Sequence, residues 1–260
     1  MNRTKIIMKK EIKAKNPILI EGLPGIGLVG KLAADHLKKE LQAKKIAELY
    51  SPSFPHHVMM RDDGTIRLVR NEFYLWENPD AHGNDLILLV GDAQPMSSQG
   101  QYKVAGKILD FFGHFGGKEI ITLGGYGIGT IAENPKVYGS ATHKEIIDKY
   151  KEFGIDFGGA KGSIIGAAGL LLGLGKLRGF KGMCLMGETH GAYIDPKSAT
   201  IILQKLTKML KINISMDKLV ESAKENEEMV KKLEEEAAAF QQSFGEFSSG
   251  KADKDLTYIR

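Results

Sequence analysis

The residues that most suggest chemistry form a glycine-rich turn after a short apolar strand. Gly25, Gly27 and Gly30 satisfy G-x-G-x-x-G, and the stretch from Gly25 to Lys31 fits the first seven positions of the P-loop pattern. Both patterns place backbone N–H groups and a helix N-terminus against phosphate. The eighth P-loop position needs a hydroxyl for magnesium, and here it is Leu32. The turn predicts either a nucleotide- or nucleoside-binding site or a helix packed tightly on a sheet through glycines.

Two acidic residues bear on the nucleotide interpretation. A dinucleotide site needs an acid at the end of the second strand, but Glu48 has apolar neighbours and is followed by more strand-like sequence. Asp92 follows an apolar run, as a magnesium-binding acid would, yet Leu32 removes its usual metal partner. The sequence therefore favours a loop cap for Asp92.

A second polar cluster follows a later strand. Glu188, His190 and Asp195 lie where open α/β sheets place ligands, so they could form a metal or acid–base site. The spacing Glu-x-His matches no strong metal motif. We therefore expect no catalytic residue, no metal and no cofactor.

Alternating apolar runs and amphipathic segments predict the elements that position these residues. The predicted strands are Ile18–Ile20, Lys45–Tyr50, Asp85–Asp92, Glu119–Leu123 and Gly182–Met186. The predicted helices are Lys31–Leu41, a segment ending near Phe115, Thr142–Phe153, Ser163–Leu177 and Pro196–Leu210. This order predicts an α/β fold in which a mainly parallel sheet carries helices on both faces.

An antiparallel hairpin interrupts this alternation. His57–Arg61 and Thr65–Trp76 flank Asp62-Asp63-Gly64, a sequence typical of a tight turn. We therefore predict a hairpin insertion within an α/β body that spans residues 1–211.

Composition excludes several classes of partner. The 260 residues include 36 Lys and Arg against 32 Asp and Glu, a net charge of only +4, and no basic stripe carries interleaved aromatics, so we expect no nucleic acid. The longest apolar stretch, Ser163–Gly175, is glycine-rich and too short to span a bilayer. The single cysteine, Cys184, fits a reducing compartment. We expect a cytoplasmic protein that does not bind membranes.

The composition changes at Ser215, a candidate helix N-cap. Apolar residues then follow the 4,3 spacing of a coiled-coil seam, interrupted by one polar residue. The seam consists of Leu219, Ala223, Asn226, Val230, Leu233, Ala237, Phe240 and Phe244. We predict a projecting amphipathic helix over residues 215–247, which packs either on its own body or on another subunit.

The last thirteen residues form a separate segment. Ser248–Asp255 is polar, which predicts a flexible tether. Leu256–Arg260 ends the chain with an apolar and aromatic cluster at the free carboxylate. This cluster is either a frayed terminus or a docking peptide on a flexible tail of residues 248–260.

Several motifs, taken in order, resemble the proteasome assembly chaperone 2 family, in particular its archaeal members. They are Glu21–Gly30, Leu86–Gly91, Gly124–Tyr126, Gly166–Leu172 and Leu185–Gly191. The resemblance covers residues 17–211. It implies a body similar to the nucleoside phosphorylase fold, homo-oligomers that could be tetramers, and action on the 20S proteasome without ATP.

Proteasome activators of several kinds end in a hydrophobic residue, a tyrosine and any residue, which dock in a pocket between α-ring subunits. The resemblance therefore implies docking by Tyr258, Ile259 and Arg260. Here the tyrosine is third from the end. A slip of one residue moves the terminal carboxylate about 3.3 Å relative to the tyrosine side-chain ring.

Together with these observations, the resemblance implies a non-enzymatic, ATP-independent proteasome activator or assembly factor. Its partners would be the α-ring of the 20S proteasome, other copies of itself and, for a recruitment role, unfolded proteins. The alternative is a nucleotide- or nucleoside-binding α/β protein that uses the turn from Gly25 to Gly30. A third hypothesis is a scaffold whose helical seam pairs with another protein.

Overall fold

A computed structural model describes residues 3–9 and 12–224 of the chain. Its main feature is a nine-stranded sheet with the order β1-β3-β6-β7-β2-β8-β11-β9-β10, beside a separate two-stranded hairpin of β4 and β5. The strands are β1 (Lys5–Met8), β2 (Ile18–Gly22), β3 (Lys44–Tyr50), β4 (Val58–Met60), β5 (Ile66–Leu68), β6 (Asn71–Trp76), β7 (Leu86–Gly91), β8 (Glu119–Gly127), β9 (Val137–Ala141), β10 (Asp156–Phe157) and β11 (Lys181–Thr189).

Four parallel strands form the centre of the main sheet. β7, β2, β8 and β11 pair side by side in parallel. Every residue of β2 and β7 is buried, as expected for strands that are covered on both faces. The predicted apolar strands are thus confirmed, and their carboxyl ends meet at one edge of the sheet.

The sheet is mixed, so the prediction of a mainly parallel sheet is wrong at its margins. β6 pairs antiparallel with both β3 and β7, and β1 pairs antiparallel with β3. At the other margin β9 lies antiparallel to β11. The predicted hairpin forms as β4 and β5 around Gly64. The segment predicted to continue β5 becomes β6, which joins the main sheet.

Helices cover both faces of the sheet, as predicted. The helices are α1 (Val29–Glu40), α2 (Ser98–His114), α3 (Lys144–Tyr150), α4 (Ala167–Leu177) and α5 (Pro196–Leu210). One core lies between the sheet and α1, α3 and α5, with Leu37 and Ile202 fully buried. The second core lies beneath α2 and α4, with Ile108 and Leu171 fully buried. The similarity to the nucleoside phosphorylase fold stays a prediction.

The backbone conformation of glycines explains the main error in the predicted helix boundaries. The helix predicted from Ser163 begins only at Ala167. Gly158, Gly162 and Gly166 have φ values of 100°, 111° and 81°, which lie outside the right-handed helical region. Residues 158–166 therefore form a glycine-rich loop at the carboxyl edge of the sheet.

No described helix is both long and apolar enough to span a bilayer.

Candidate functional site

The glycine-rich turn packs α1 against the sheet. After β2 the chain forms a 3-10 turn over Ile26–Leu28 and enters α1 at Val29. A Cβ atom at Gly30 would clash with the backbone carbonyl of Leu123. At Gly27, φ is 59°, and a Cβ atom would lie 2.7 Å from Oγ1 of Thr189. Two of the three motif glycines are therefore needed for close packing.

Gly25 differs from the other two glycines of the motif. Its backbone is extended, with φ of −153°. A Cβ atom there would have its nearest neighbour 4.0 Å away, at the carbonyl oxygen of Leu23. The spacing G-x-G-x-x-G thus combines two packing positions with one that any residue could fill, which favours the tight-packing interpretation of the turn.

The side chains that a nucleotide site would use are engaged elsewhere. Lys31, at the P-loop lysine position, pairs with Asp35 at 2.7 Å. Glu48 is 5% exposed and lies 3.2 Å from Arg70 and from Lys45. Burial alone would raise the pKa of Glu48, but these cations and Lys9 lower it to about 2. Glu48 is thus a charged member of an ion-pair network.

Asp92 is hydrogen-bonded beside the start of β6. It pairs with the Arg67 guanidinium and accepts a hydrogen bond from the backbone N–H of Arg70 at 3.0 Å. Burial acts to raise the pKa of Asp92, but these donors lower it. The prediction of a structural acid at this position is confirmed.

Two acids of the predicted polar cluster, Glu188 near the end of β11 and Asp195 beyond it, make structural hydrogen bonds. Glu188 accepts hydrogen bonds from the Tyr138 hydroxyl at 2.6 Å and the Lys136 backbone N–H at 2.9 Å. Asp195 caps α5 by accepting from the backbone N–H of Ser198 at 2.9 Å. The cavity beside them measures about 40 Å³, enough for about one water molecule. The part of the chain that the structure describes holds no cluster of three or more His, Cys, Asp or Glu residues suited to a metal ion.

His190 belongs to the same segment but makes different contacts. Its Nδ1 accepts a long hydrogen bond of 3.4 Å from the backbone N–H of Ala192, and its ring packs on Tyr193 with 4.9 Å between centroids. These contacts order the loop between β11 and α5.

A groove of about 640 Å³ lies at the carboxyl ends of β2, β8 and β11. The glycine turn forms one wall, and the glycine-rich loop of residues 158–166 contributes another. Glu21 lies on the floor with 1% of its surface exposed. Sequence reasoning assigned Glu21 no role, although an acid at the end of an otherwise apolar strand was the available signal.

The predicted projecting helix over residues 215–247 is called the arm, and its first residues, 215–224, are called its root. The root packs on the α/β body. The Ser215 hydroxyl accepts from the Asp217 backbone N–H at 3.1 Å, and the Ser215 carbonyl lies 2.7 Å from Nε2 of His36 on α1. The helix begins at residue 217 and is described to residue 224. Leu219 is 6% exposed and belongs to the core under α1 and α5. The first seam position therefore packs in cis.

Most other members of the predicted seam and tail lie outside the described residues. Ala223 is half-buried on the described turn. The seam and tail positions outside the described residues are Asn226, Val230, Leu233, Ala237, Phe240, Phe244, Tyr258, Ile259 and Arg260. The helix over residues 215–247 and the docking tail over 248–260 stay predictions.

Comparison with known proteins decides the family. A model of the PAC2 family matches residues 19–234, which is most of the chain. The chain belongs to the PAC2 family. The crystal structure of Pyrococcus furiosus PbaB, described as an archaeal proteasome activator, is 48% identical with a TM-score of 0.86, and the match covers 90% of this chain and 100% of that one.

Two further proteins are similar over nearly their whole length. Pyrococcus furiosus PbaA, described as an archaeal homolog of proteasome-assembly chaperone, is 27% identical with a TM-score of 0.75, covering 94% of this chain and 97% of that one. The uncharacterized protein MJ1210 of Methanocaldococcus jannaschii is 42% identical over 248 residues, covering 94% of this chain and 93% of its own. The family resemblance predicted from the motifs is confirmed.

Proposed function

We propose that this protein is a non-enzymatic, ATP-independent activator or assembly factor of the 20S proteasome in the cytoplasm. The observation that carries the proposal is the likeness to PbaB, described as a proteasome activator, at 48% identity over the full length of that chain. The likeness to PbaA, described as a homolog of an assembly chaperone, is weaker at 27% identity. Activation is therefore the favoured role.

The contact with the proteasome would be made by the chain's C-terminus. Tyr258 and Ile259 supply an apolar anchor next to the terminal carboxylate of Arg260. Because the tyrosine is one place further from the end than in the usual activator signature, Ile259 would occupy the apolar pocket or the tail would bind in a shifted register.

The arm would determine how far the tails reach. Its first turn is tied to α1 through the contact of His36 with the Ser215 carbonyl and through buried Leu219. A rigid root gives the helix a defined direction relative to the body. If the remaining seam continues as a helix of about thirty residues, it extends roughly 45 Å and can carry the tail to a distant ring.

Homo-oligomerisation would make the short tails effective. A single apolar tail binds weakly, whereas tethering several tails raises the effective concentration of each further one and increases overall avidity by factors of about 10² to 10⁴. We propose an oligomer, such as a tetramer, whose arms present several copies of Tyr258–Arg260 to the α-ring.

Co-sedimentation with an archaeal 20S proteasome tests this docking. The full-length chain should sediment with the particle, and a chain lacking Tyr258–Arg260 should not. A control chain in which Lys254→Ala alters the tether but keeps the anchor should still bind. Circular dichroism and gel filtration should be identical for all three chains. Undiminished binding by the shortened chain would refute tail docking.

A further inference from the structure

The floor of the groove carries an acid with one unpartnered oxygen. Four register partners lie side by side on the face of the sheet that α2 and α4 cover. They are Leu89 in β7, Glu21 in β2, Thr122 in β8 and Cys184 in β11. Oε1 of Glu21 accepts from the Leu23 backbone N–H at 3.1 Å. Oε2 has no hydrogen-bond partner within the described ranges. A buried carboxyl with a free oxygen destabilises the fold unless something pairs with it.

The walls of the groove are mainly apolar and are held in place by hydrogen bonds. Gln94 donates to the Pro24 carbonyl at 2.8 Å and accepts from the Ala167 backbone N–H at 2.8 Å, which joins the glycine turn to the start of α4. Ile164 and Met186 contribute apolar surface. These hydrogen bonds hold the groove in shape, it has the size that takes small organic ligands, and the buried carboxyl of Glu21 lies at its base.

The strand β8 leaves room for a ligand at one position. Gly124 lines the groove and has no atom within 4 Å of the place where a Cβ would stand. Its neighbour Gly125, in contrast, is packed against the Ile26 carbonyl at 2.5 Å. The open space above Gly124 is therefore part of the groove and not a packing contact.

We propose that this groove binds a small organic amine, whose apolar body packs on Ile164 and Met186 and whose ammonium group pairs with Oε2 of Glu21. An ammonium group supplies the opposite charge and the hydrogen-bond donor that this oxygen lacks. An anionic ligand would be repelled by the same carboxyl once it ionises. One carboxyl is too few ligands for a hard metal ion. The site is independent of the proposed proteasome function.

Proton release should accompany binding. Burial raises the pKa of Glu21 to about 8, with a smaller opposing effect of the Leu23 N–H, so the empty site holds a neutral acid near pH 7. The other titratable side chains of the groove are Cys184, Tyr126 and Lys161, and burial raises the pKa of Cys184 to about 12, which keeps its thiol neutral. Pairing with an ammonium ion transfers the proton of Glu21 to solvent.

Isothermal titration of the full-length protein tests the site. The probes are phenethylamine, cyclohexylmethylamine and isobutylamine at millimolar concentration, with 2-phenylethanol as the uncharged counterpart. In phosphate and HEPES at pH 7, at least one amine should bind with release of close to one proton per site, more tightly at pH 8 than at pH 6. The alcohol should bind about tenfold more weakly or not at all.

Three variants locate the site. Glu21→Gln keeps the side-chain size and should lose about tenfold or more in amine affinity together with proton release. Gly124→Leu fills the open space and should abolish binding. Gly173→Leu is the matched control, because Gly173 also has open space at its Cβ position but lies exposed on α4 outside the groove. Absence of binding by all three amines, equal binding of the alcohol, or unchanged binding by Gly124→Leu would each overturn the proposal.

Discussion

Glu21 places an ionisable carboxyl inside the α/β body, at 1% exposure. In the unfolded chain this carboxyl keeps the ordinary glutamate pKa of 4.5, whereas burial raises its pKa to about 8 in the folded protein. The folded state therefore binds the proton more tightly than the unfolded state. The free energy of unfolding should consequently decrease as pH rises from about 4.5 to about 8.

Replacing Glu21 with Gln should remove this component of the pH dependence. Between pH 5 and pH 8 the wild-type chain should lose on the order of 3 kcal/mol of stability relative to Glu21→Gln. Urea denaturation of both chains at several pH values measures the difference. Because other titrating groups are common to the two chains, parallel curves would contradict a neutral, buried Glu21.

At the scale of elements, α1 is held against the sheet by backbone contact. Gly22 of β2 faces the Gly30 carbonyl, and Gly30 faces the Leu123 carbonyl of β8. A side chain at either glycine would push the helix away from two central strands.

Gly30→Ala should therefore destabilise the protein by about 3 kcal/mol, as overpacking against backbone does. Gly25→Ala, in the same motif, should change stability by less than about 0.5 kcal/mol, because its backbone is extended and its Cβ position is open. Thermal melting of the two variants distinguishes them. Equal loss from both substitutions would contradict the packing role of the turn.

The packing of the arm's root on the body leads to a second prediction for the helices and strands. Leu219 is 6% exposed in the core, whereas its neighbour Val220 is 39% exposed. Leu219→Ala should detach the last described turn, since large-to-small core substitutions cost roughly 2 kcal/mol or more. Amide hydrogen exchange of residues 217–224 should accelerate about tenfold or more, with little change in Val220→Ala. Equal exchange in both variants would show that the helix root is not anchored by Leu219.

The sequence predicted the central strands because each is an uninterrupted apolar run, as in Leu86–Gly91. It did not predict β1 or β9. Lys5–Met8 pairs only at the sheet margin and is largely exposed, and Val137–Ala141 contains Gly139 and a serine, so neither resembles a buried strand. The predicted strand directions at the margins of the sheet were wrong for a related reason. Pairing partners are set by tertiary contacts that hydrophobic periodicity does not encode.

Prediction of the candidate sites was uneven for similar reasons. The motif at Gly25, Gly27 and Gly30 identified a real strand–turn–helix unit, but only Cβ contacts separate packing glycines from the open one. The sequence pointed to the turn that forms one wall of the groove but not to the rest of the groove, because Glu21, Gly124 and Ile164 come together only in the folded chain.

At the scale of the whole molecule, the body and the tail have separate tasks in this account. The PAC2 body would supply the oligomer and a rigid root for each arm, and the C-terminal residues would supply the contact with the proteasome. PbaB, which is described as an archaeal proteasome activator, is similar over 90% of this chain, and the proposed function is therefore activation of peptide hydrolysis.

The most direct measurement is hydrolysis of a short fluorogenic peptide by purified archaeal 20S proteasome in the absence of ATP. Full-length protein should stimulate hydrolysis, and the chain lacking Tyr258–Arg260 should not, because we propose that these residues make the contact with the α-ring. Unchanged basal hydrolysis with the full-length protein, at concentrations that saturate binding, would contradict the account of the protein as an activator.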